Sequence, residues 1–470
     1  MSRSPEEKPI AALVAPDILD LLEESPGAVA AETEEMHAAD LADVAELFPP
    51  EKLVLFLKAL PTDRAADVLE YLDEDVRAAV LEELTISEAA ALVSQMTPDD
   101  RADVLEALEE EHAEEILEEI PAEARRETEQ LLRFDPDSAG GLMTTEFVSV
   151  PDDLTVDDAL MRVRALAQAG RREAMYSVYV TDTQGRLSGV LSLRELLAAP
   201  TGTKIGDASW SEVVRVPPTA DREEVARITA NYDLVAVPVV SESGHVMGVV
   251  TVDDVIDAIQ EEQTEDVQKL GGMEALEEPY MASGLLGMVR KRIGWLSILF
   301  VGSLFTATAI DYFEGSLKAV DTLVLFIPLI ISSGGNSGSQ ATSLIIRAMA
   351  LGEVSLRDWW RVARRELASG LLLGLLLGAL GVVRVLLWYY MGWSHDFDRE
   401  PLLFALTIGG ALIGVVTFGS LTGSMLPFLL KRLGLDPASA SAPFVATLVD
   451  VTGLMIYFSV ALLVLRGTLL

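Results

Sequence analysis

The chain contains no cysteine in its 470 residues, which excludes thiol catalysis, thiolate metal sites and disulfides. Its 4 histidines are scattered and no nucleophile–base pair is recognisable, so an enzyme is not expected. No apolar run opens the sequence either. MSRSPEEKPIAALVAPDILDLLEE lacks the basic, apolar, small-residue order of a signal peptide, and the first half is expected to stay in the cytosol. Bases are scarce there: residues 1–284 hold 63 of the 74 acids but 21 of the 35 bases, a net −42 against +3 for the remainder. Such a region repels nucleic acid and anionic surfaces, and cations are its natural counterpart, although solubility alone accounts for the acidity equally well.

What is present divides into repeats and long apolar stretches. From Leu41 to Leu132 apolar residues recur at helical spacing between Pro-Asp, Pro-Glu and Ser-Glu starts. LPTDRAADVLEYLDEDVRAAVLEEL from Leu60 matches MTPDDRADVLEALEEEHAEEILEEI from Met96, a spacing of 36 that predicts stacked helical pairs. A second repeat, MYSVYVTDTQGRLSGVLSLRELL from Met175 and LVAVPVVSESGHVMGVVTVDDVI from Leu234, is offset by 59 and predicts strand, Gly turn, strand and helix in each copy. An amphipathic helix precedes each copy, near Val156 to Ala167 and Arg222 to Asn231. TVDDVIDAIQEEQTEDVQKL, Thr251 to Leu270, then reads as one acidic amphipathic helix leading toward the membrane.

Five spans of about 20 or more residues, enough to cross a bilayer core, are expected near Ile293 to Tyr312, Thr322 to Ala350, Leu367 to Met391, Leu402 to Leu430 and Pro443 to Leu465. Arg290, Lys291 and Arg292 precede the first, Arg357, Arg361, Arg364 and Arg365 follow the second, and Lys431 and Arg432 follow the fourth. The opposite loops carry Asp311, Glu314, Lys318 and Asp321, then Asp396, Asp398, Arg399 and Glu400. The positive-inside rule places the N-terminus in the cytoplasm, and an odd number of spans places the C-terminus outside.

Asp450 sits in the fifth span with no base within a helical turn. A carboxylate near mid-membrane costs on the order of 2.5 to 3.5 kcal/mol, so it marks a functional site facing water or the bundle interior, unless it is protonated or paired with an interhelical donor. In the second span, IPLIISSGGNSGSQATSLIIRAMA, Pro328, Gly334, Gly335, Asn336, Gly338 and Gln340 are expected to interrupt or loosen the helix and line a cavity. Close helix packing through small residues is the alternative. On the connector, Asp254, Asp257 and Glu261 fall along one helical face and Glu262, Glu265 and Asp266 along another, where like charges repel unless a cation bridges them or water solvates them. Finally GVLS–LRE, Gly189 to Glu195, and GVVT–VDD, Gly248 to Asp254, resemble the G-h-h-S/T-x-x-D pattern by which CBS modules hold adenosine nucleotides. Ser192, Glu195, Thr251 and Asp254 are the candidate nucleotide residues, with glutamate replacing the usual aspartate in the first copy.

This order, together with AGGLMT at Ala139, VTVDDVIDAI at Val250, TEDVQKLG at Thr264, GGNSGSQAT at Gly334, MLPFLLKRLGLDP at Met425 and PFVATLVDVTGLMIYFSVA at Pro443, resembles the MgtE family of Mg2+ channels. After a Pro-, Glu- and Ala-rich extension over 1–35 that its composition leads us to expect to be loosely ordered, the resemblance implies a multidomain membrane protein: an α-solenoid-like helical domain over 36–134, a tandem α+β CBS pair over 135–200 and 201–259, a plug helix over 260–284, and a five-span all-α transmembrane domain over 285–470. It implies a homodimer in the cell (inner) membrane whose pore Mg2+ is held by Asp450 and the Ala446 carbonyl, with Gly334, Gly335, Asn336 and Gln340 as pore-lining candidates. Regulatory Mg2+ would bridge Asp221, Glu223, Asp233, Asp254, Asp257, Glu262, Glu265, Asp266 and Asp436 and close the channel when cytosolic Mg2+ is high, with ATP as the candidate CBS ligand. Where the family's N-terminal domain offers a pair of aspartates to the CBS module, ISEAAAL at Ile86 leaves Glu88 alone, and Ala442 replaces an asparagine. Hydrated Mg2+ suits a pore of carboxylates and carbonyls, but oxygen ligands take Mn2+, Co2+ or Ni2+ as well. A proton- or Na+-coupled carrier and a membrane-tethered sensor are the rival readings.

Overall fold

The computed structural model describes residues 9–168, 174–276, 280, 283–313, 321–392 and 400–466. Glu314, Lys318, Asp396, Asp398 and Arg399 of the expected outer loops lie outside them. The chain forms two compact units, Met1–Glu261 and Glu262–Leu470.

The first unit begins with short helices α1 (Pro9–Glu24), α2 (Val29–Glu32), α3 (Ala38–Ala45), α4 (Pro50–Ala59), α5 (Thr62–Glu70), α6 (Glu74–Glu83), α7 (Ile86–Val93), α8 (Pro98–Glu106), α9 (Glu110–Glu119) and α10 (Ala122–Leu131). Each copy of the 36-residue repeat yields one helical pair, α5–α6 and α8–α9. Proline at the first turn of α4 and α8, and a capping box at α7, start them where backbone N–H groups would otherwise lack partners. Leu41, Phe56, Leu69, Leu81 and Ile116 are fully buried in a common core. The expected loose extension is helical from Pro9 onward: Ala11, Ala15, Ile18 and Leu22 form a stripe at helical spacing that packs into that core.

β1 (Phe147–Pro151), α11 (Val156–Gln168), β2 (Ala174–Thr181), β3 (Leu187–Ser192), α12 (Leu193–Ala198), α13 (Ile205–Ala208), α14 (Arg222–Tyr232), β4 (Ala236–Val240), β5 (Val246–Thr251) and α15 (Val252–Leu270) follow. Both hairpins, β2–β3 and β4–β5, are antiparallel, and β1 adds in parallel beside β2. The second copy keeps only a bridge at the equivalent place, Val216 beside Val239. Each hairpin turns on a glycine in the left-handed region, Gly185 at φ 76° and Gly244 at φ 88°, where a side chain would be strained.

In the second unit, α16 (Leu285–Tyr312), α17 (Ile327–Ala350), α18 (Trp359–Tyr390), α19 (Pro401–Arg432) and α20 (Ala442–Leu465) correspond to the five segments long and apolar enough to cross a membrane. Two begin earlier than expected. At 28 residues α16 is about 42 Å long, more than the hydrocarbon thickness, so it takes in Arg290, Lys291 and Arg292 as headgroup-level residues. α18 likewise takes in Arg361, Arg364 and Arg365.

The expected interruption of the second span is absent. α17 is continuous from Ile327 to Ala350, and its glycines serve close packing. A Cβ on Gly419 would collide with the Gly334 carbonyl oxygen, and one on Gly423 with that of Gly338. Helix backbones brought this near gain polar contacts that hydrocarbon cannot supply. Ser337 and Ser420 hydroxyls lie 2.6 Å apart, and Thr342 Oγ1 lies 2.9 Å from the Gly338 and Gly423 carbonyls. Gly370, Gly374 and Gly378 on α18 repeat the device against Thr417, Ile413 and Gly409 of α19.

Candidate cation-binding sites

Two places gather several acids around few bases, and a third holds a lone carboxylate. The first lies in the first unit, between α8 and the start of α15. Asp99 and Asp100 occupy the first turn of α8, where the helix dipole favours negative charge. Thr97 Oγ1 donates to Asp100 Oδ2 at 2.8 Å, but Asp99 is 7% exposed and its buried Oδ1 has no hydrogen-bond partner. Opposite, Thr251 Oγ1 donates to Asp254 Oδ2 at 2.5 Å. Burial, then the neighbouring charge of Asp100, pushes the Asp99 carboxyl up to about 6. Burial, then the charge of Asp99, holds Asp254 well above the usual carboxylate range. Asp100 is raised by burial, with Asp253 and Asp257 adding repulsion and Arg77 opposing it. Arg101 is spent elsewhere: its guanidinium donates to the carbonyls of Val93 (3.1 Å) and Met96 (2.7 Å). The donor set is carboxylate and hydroxyl oxygen only, which suits a hard cation. Among the described residues no three acids form a ready-made metal cage, so an ion here would keep water and bridge the two helices.

The second cluster, within the second unit, joins the end of α15 to the loop before α20. Lys269 Nζ lies 2.5 Å from Glu265 Oε1 and 2.6 Å from Asp436 Oδ2. Asp436 Oδ1 accepts from the Ala438 amide at 2.8 Å, which fixes the loop. Burial opposes the charge of Lys269, but Asp436 and Glu265 outweigh it and leave the ammonium more basic than usual. Asp266 rises to about 6 through burial and the charges of Glu262 and Asp436. Glu265 and Asp436 thus share Lys269, with Asp266 and Glu262 close by. Leu270 packs with Ile346, Ala438 and Ala440, so this helix end is seated on the membrane-spanning part of its own unit.

Asp450 is the third place. It is half-buried on α20, and no hydrogen bond or ion pair reaches its carboxylate among the described residues. One turn earlier Ala446 lies against α17, where a Cβ on Gly335 would sit 3.5 Å from the Ala446 methyl. A further turn back, Ser339 Oγ donates to the Ala442 carbonyl at 3.2 Å. Ala442, Ala446 and Asp450, at i, i+4 and i+8, thus run along one side of α17. Asn336 and Gln340 are exposed on α17 itself, with Asn336 Nδ2 3.4 Å from Ser332 Oγ. Gly334 and Gly335 are buried between helices of the single chain, a packing position.

The MgtE divalent cation transporter family model matches residues 327–460, the MgtE intracellular N domain 36–137, and the CBS domain 139–202 and 205–261. A magnesium transporter MgtE of Thermus thermophilus is 44% identical over 343 residues, 73% of each chain. Another from Enterococcus faecalis is 36% identical over 346 residues, again 73% of each. The chain belongs to the MgtE family. It is a multi-pass membrane protein. The crystal structure of the soluble part of a magnesium transporter superposes at TM-score 0.51 and 30% identity, covering 54% of this chain and 99% of that one.

Within this MgtE-family frame the remaining sequence-derived residues are dispersed. Asp221 caps α14, accepting from the Glu223 amide at 2.9 Å, while Asp233 ends the same helix in the left-handed region at φ 51°. Standing at either end of an eleven-residue helix, these two lie about 18 Å apart, too far to share an ion within one chain. Ser192 and Glu195 form a capping box on α12, and Glu195 also accepts from Trp210 Nε1 at 2.9 Å. Glu88, read as the lone acid the N-terminal domain offers, is occupied by its capping box with Thr85 and a 2.8 Å ion pair with Lys58. Those contacts, Lys58 first, hold its carboxyl down at about 2. The acids facing the CBS helix are Asp99 and Asp100, which sequence reasoning missed. A signal was available in the 36-residue repeat: Asp100 stands where the first copy has Arg64, which donates to the carbonyls of Thr33 and Met36 at 2.5 Å each.

Proposed function

We propose that the chain is a Mg2+ channel of the cell membrane, homodimeric, with Asp450 at the pore and the two acidic clusters as its cation sensor. The observation that carries the pore is Asp450 itself: an unpaired ionised carboxylate on an apolar helix, in line with Ala446, calls for water or an ion beside it. Homodimer formation is supported by the same face. Asn336 and Gln340 are exposed and Asp450 is only half-covered by its own chain, and a second copy would shelter them from hydrocarbon. Bases at the near ends of α16, α18 and α19 support a cytoplasmic N-terminus and an outer C-terminus.

Gating follows from electrostatics. Without cation, Asp99, Asp100 and Asp254 repel across α8 and α15, and Glu262, Glu265, Asp266 and Asp436 outnumber Lys269. Mg2+ binding would offset these repulsions and select the arrangement in which they lie close, which we read as closed. Asp221, Glu223, Asp233 and Asp257 would join when the partner copy is present. A nucleotide at the CBS pair would use Thr251 and Asp254, so ATP and Mg2+ would be coupled through Asp254.

Patch recording with stepped cytosolic Mg2+ tests pore and sensor together. Asp450→Asn is expected to lose most Mg2+ current, and wild type to close as Mg2+ rises through the millimolar range. Unchanged current in Asp450→Asn overturns the pore assignment. Strict dependence of Mg2+ flux on a proton gradient would favour a coupled carrier.

A further inference from the structure

The first turns of α18 form a surface that neither cluster uses. Trp360, Arg361, Arg364 and Arg365 are exposed, while Val362 and Ala363 turn inward. The two tryptophans, Trp359 and Trp360, stack edge to face with centroids 5.5 Å apart. Helical periodicity carries this face directly into leucines: Leu371, Leu372 and Leu375 are 43%, 61% and 55% exposed. A continuous stripe therefore passes from aromatic and cationic to apolar within about 20 Å, the rise of some 14 residues. Of its arginines, Arg361 pairs with Asp358 at 2.8 Å yet keeps its side chain 85% exposed, and Arg364 makes no ion pair among the described residues. Half-buried Glu366 offsets part of the charge of Arg365.

We propose that this face is a binding site for an anionic phospholipid. Its phosphate would lie against Arg361, Arg364 and Arg365, the tryptophans at headgroup level and an acyl chain along Leu371, Leu372 and Leu375. Guanidinium forks match phosphate oxygens in pairs, which an ordinary solvated base at a span end does not require. A soluble polyanion would satisfy the arginines but not the leucines, and an apolar protein partner would leave Arg364 without a counter-charge. A phospholipid serves both halves. It also gives the chain one surface that holds anionic lipid, in contrast to residues 1–284 with their net −42. The inference rests on α18 spanning a membrane and is independent of which ion passes.

The test is lipid retention by the full-length protein, counted by native mass spectrometry after exchange into mixed phosphatidylglycerol and phosphatidylcholine. Wild type should retain phosphatidylglycerol in preference. The triple variant Arg361→Gln/Arg364→Gln/Arg365→Gln should lose affinity by about 10- to 100-fold, since each base near a charged surface contributes about tenfold or less. Its melting temperature in phosphatidylcholine alone should match wild type, and the corresponding Arg→Lys triple, which keeps the charge but not the fork, should recover only part of the binding. Equal retention by wild type and the glutamine triple, equal retention of the two lipids, or a lysine triple no better than the glutamine one would each overturn the site. So would protection of this face by a second copy of the chain irrespective of lipid, and displacement of phosphatidylglycerol by millimolar inorganic phosphate would reduce the site to a phosphate contact and overturn the acyl part.

Discussion

Replacing Asp99 with asparagine isolates the cost of the buried acid. A carboxyl raised from 3.8 to about 6 by burial and by Asp100 penalises the folded state by about 3 kcal/mol once it must ionise, taking 1.36 kcal/mol for each tenfold change in proton affinity. The sign follows from proton counts. Between pH 3.8 and about 6 the folded form binds more protons at Asp99 than the unfolded form, so stability falls as pH rises through that window. Below it the penalty vanishes, and above it the penalty is complete. Asparagine is neutral at every pH and similar in shape, so Asp99→Asn should remove the penalty at pH 7.5 and change little near pH 4.

For a unit of this size 1 kcal/mol corresponds to about 2–4 °C, which sets a ceiling of about 10 °C; the shared proton among Asp99, Asp100 and Asp254 brings the expectation to about 5 °C. Thermal unfolding of the full chain, followed at pH 4, 5.5 and 7.5 with and without millimolar Mg2+, measures it. Wild type should melt lower at 7.5 than at 5.5 and be raised by Mg2+, and the variant should melt higher at 7.5 and respond less to the ion. If Asp99→Asn melts at or below wild type at pH 7.5, the acid is not strained and the cluster is not a sensor.

At the second cluster, Lys269→Gln removes the ammonium that pairs with both Glu265 and Asp436, so without Mg2+ residues 262–272 should be cleaved faster by protease. The Mg2+ concentration that restores protection should fall about threefold or more, because the ion no longer competes with an ammonium; an unchanged midpoint refutes this. Gly423→Ala drives a methyl into the Gly338 backbone, which cannot yield as a side chain could, and should cost about 3 kcal/mol or prevent assembly of α17 on α19. Gly434→Ala, also glycine-to-alanine but with open space around it, controls for that, though its φ of 75° carries its own smaller strain.

Both repeats were legible because their two copies keep the same apolar rhythm, which fixes helix pairs α5–α6 and α8–α9 and both hairpins locally. β1 was not. A five-residue strand acquires its identity from pairing beside β2, and in the second copy the same place holds only the Val216 bridge. Glycines in α17 posed a two-sided problem, since Gly334 and Gly338 fit a broken helix as well as a packed one. What decides between them is Gly419 and Gly423, four residues apart on α19, and no single segment carries that pairing.

Asp99 shows the same limit at the candidate site, and why it matters. In a region this acidic, one more Asp-Asp after a proline is unremarked, and the counterpart of Asp99 in the first copy, Asp63, is simply exposed. Function enters when tertiary packing buries Asp99 opposite Asp254 and leaves an oxygen without a partner. Charge alone would keep a solvated helix soluble, and burial alone would select a neutral residue. An acid that is both buried and faced by another acid destabilises its own fold unless a proton or a cation arrives. Near pH 7 the proton is scarce for a group raised to about 6, so in the proposed function the divalent cation is the ligand that would stabilise that packing. Under the proposed gating, the stability of the α8–α15 contact is the quantity that reports the cation.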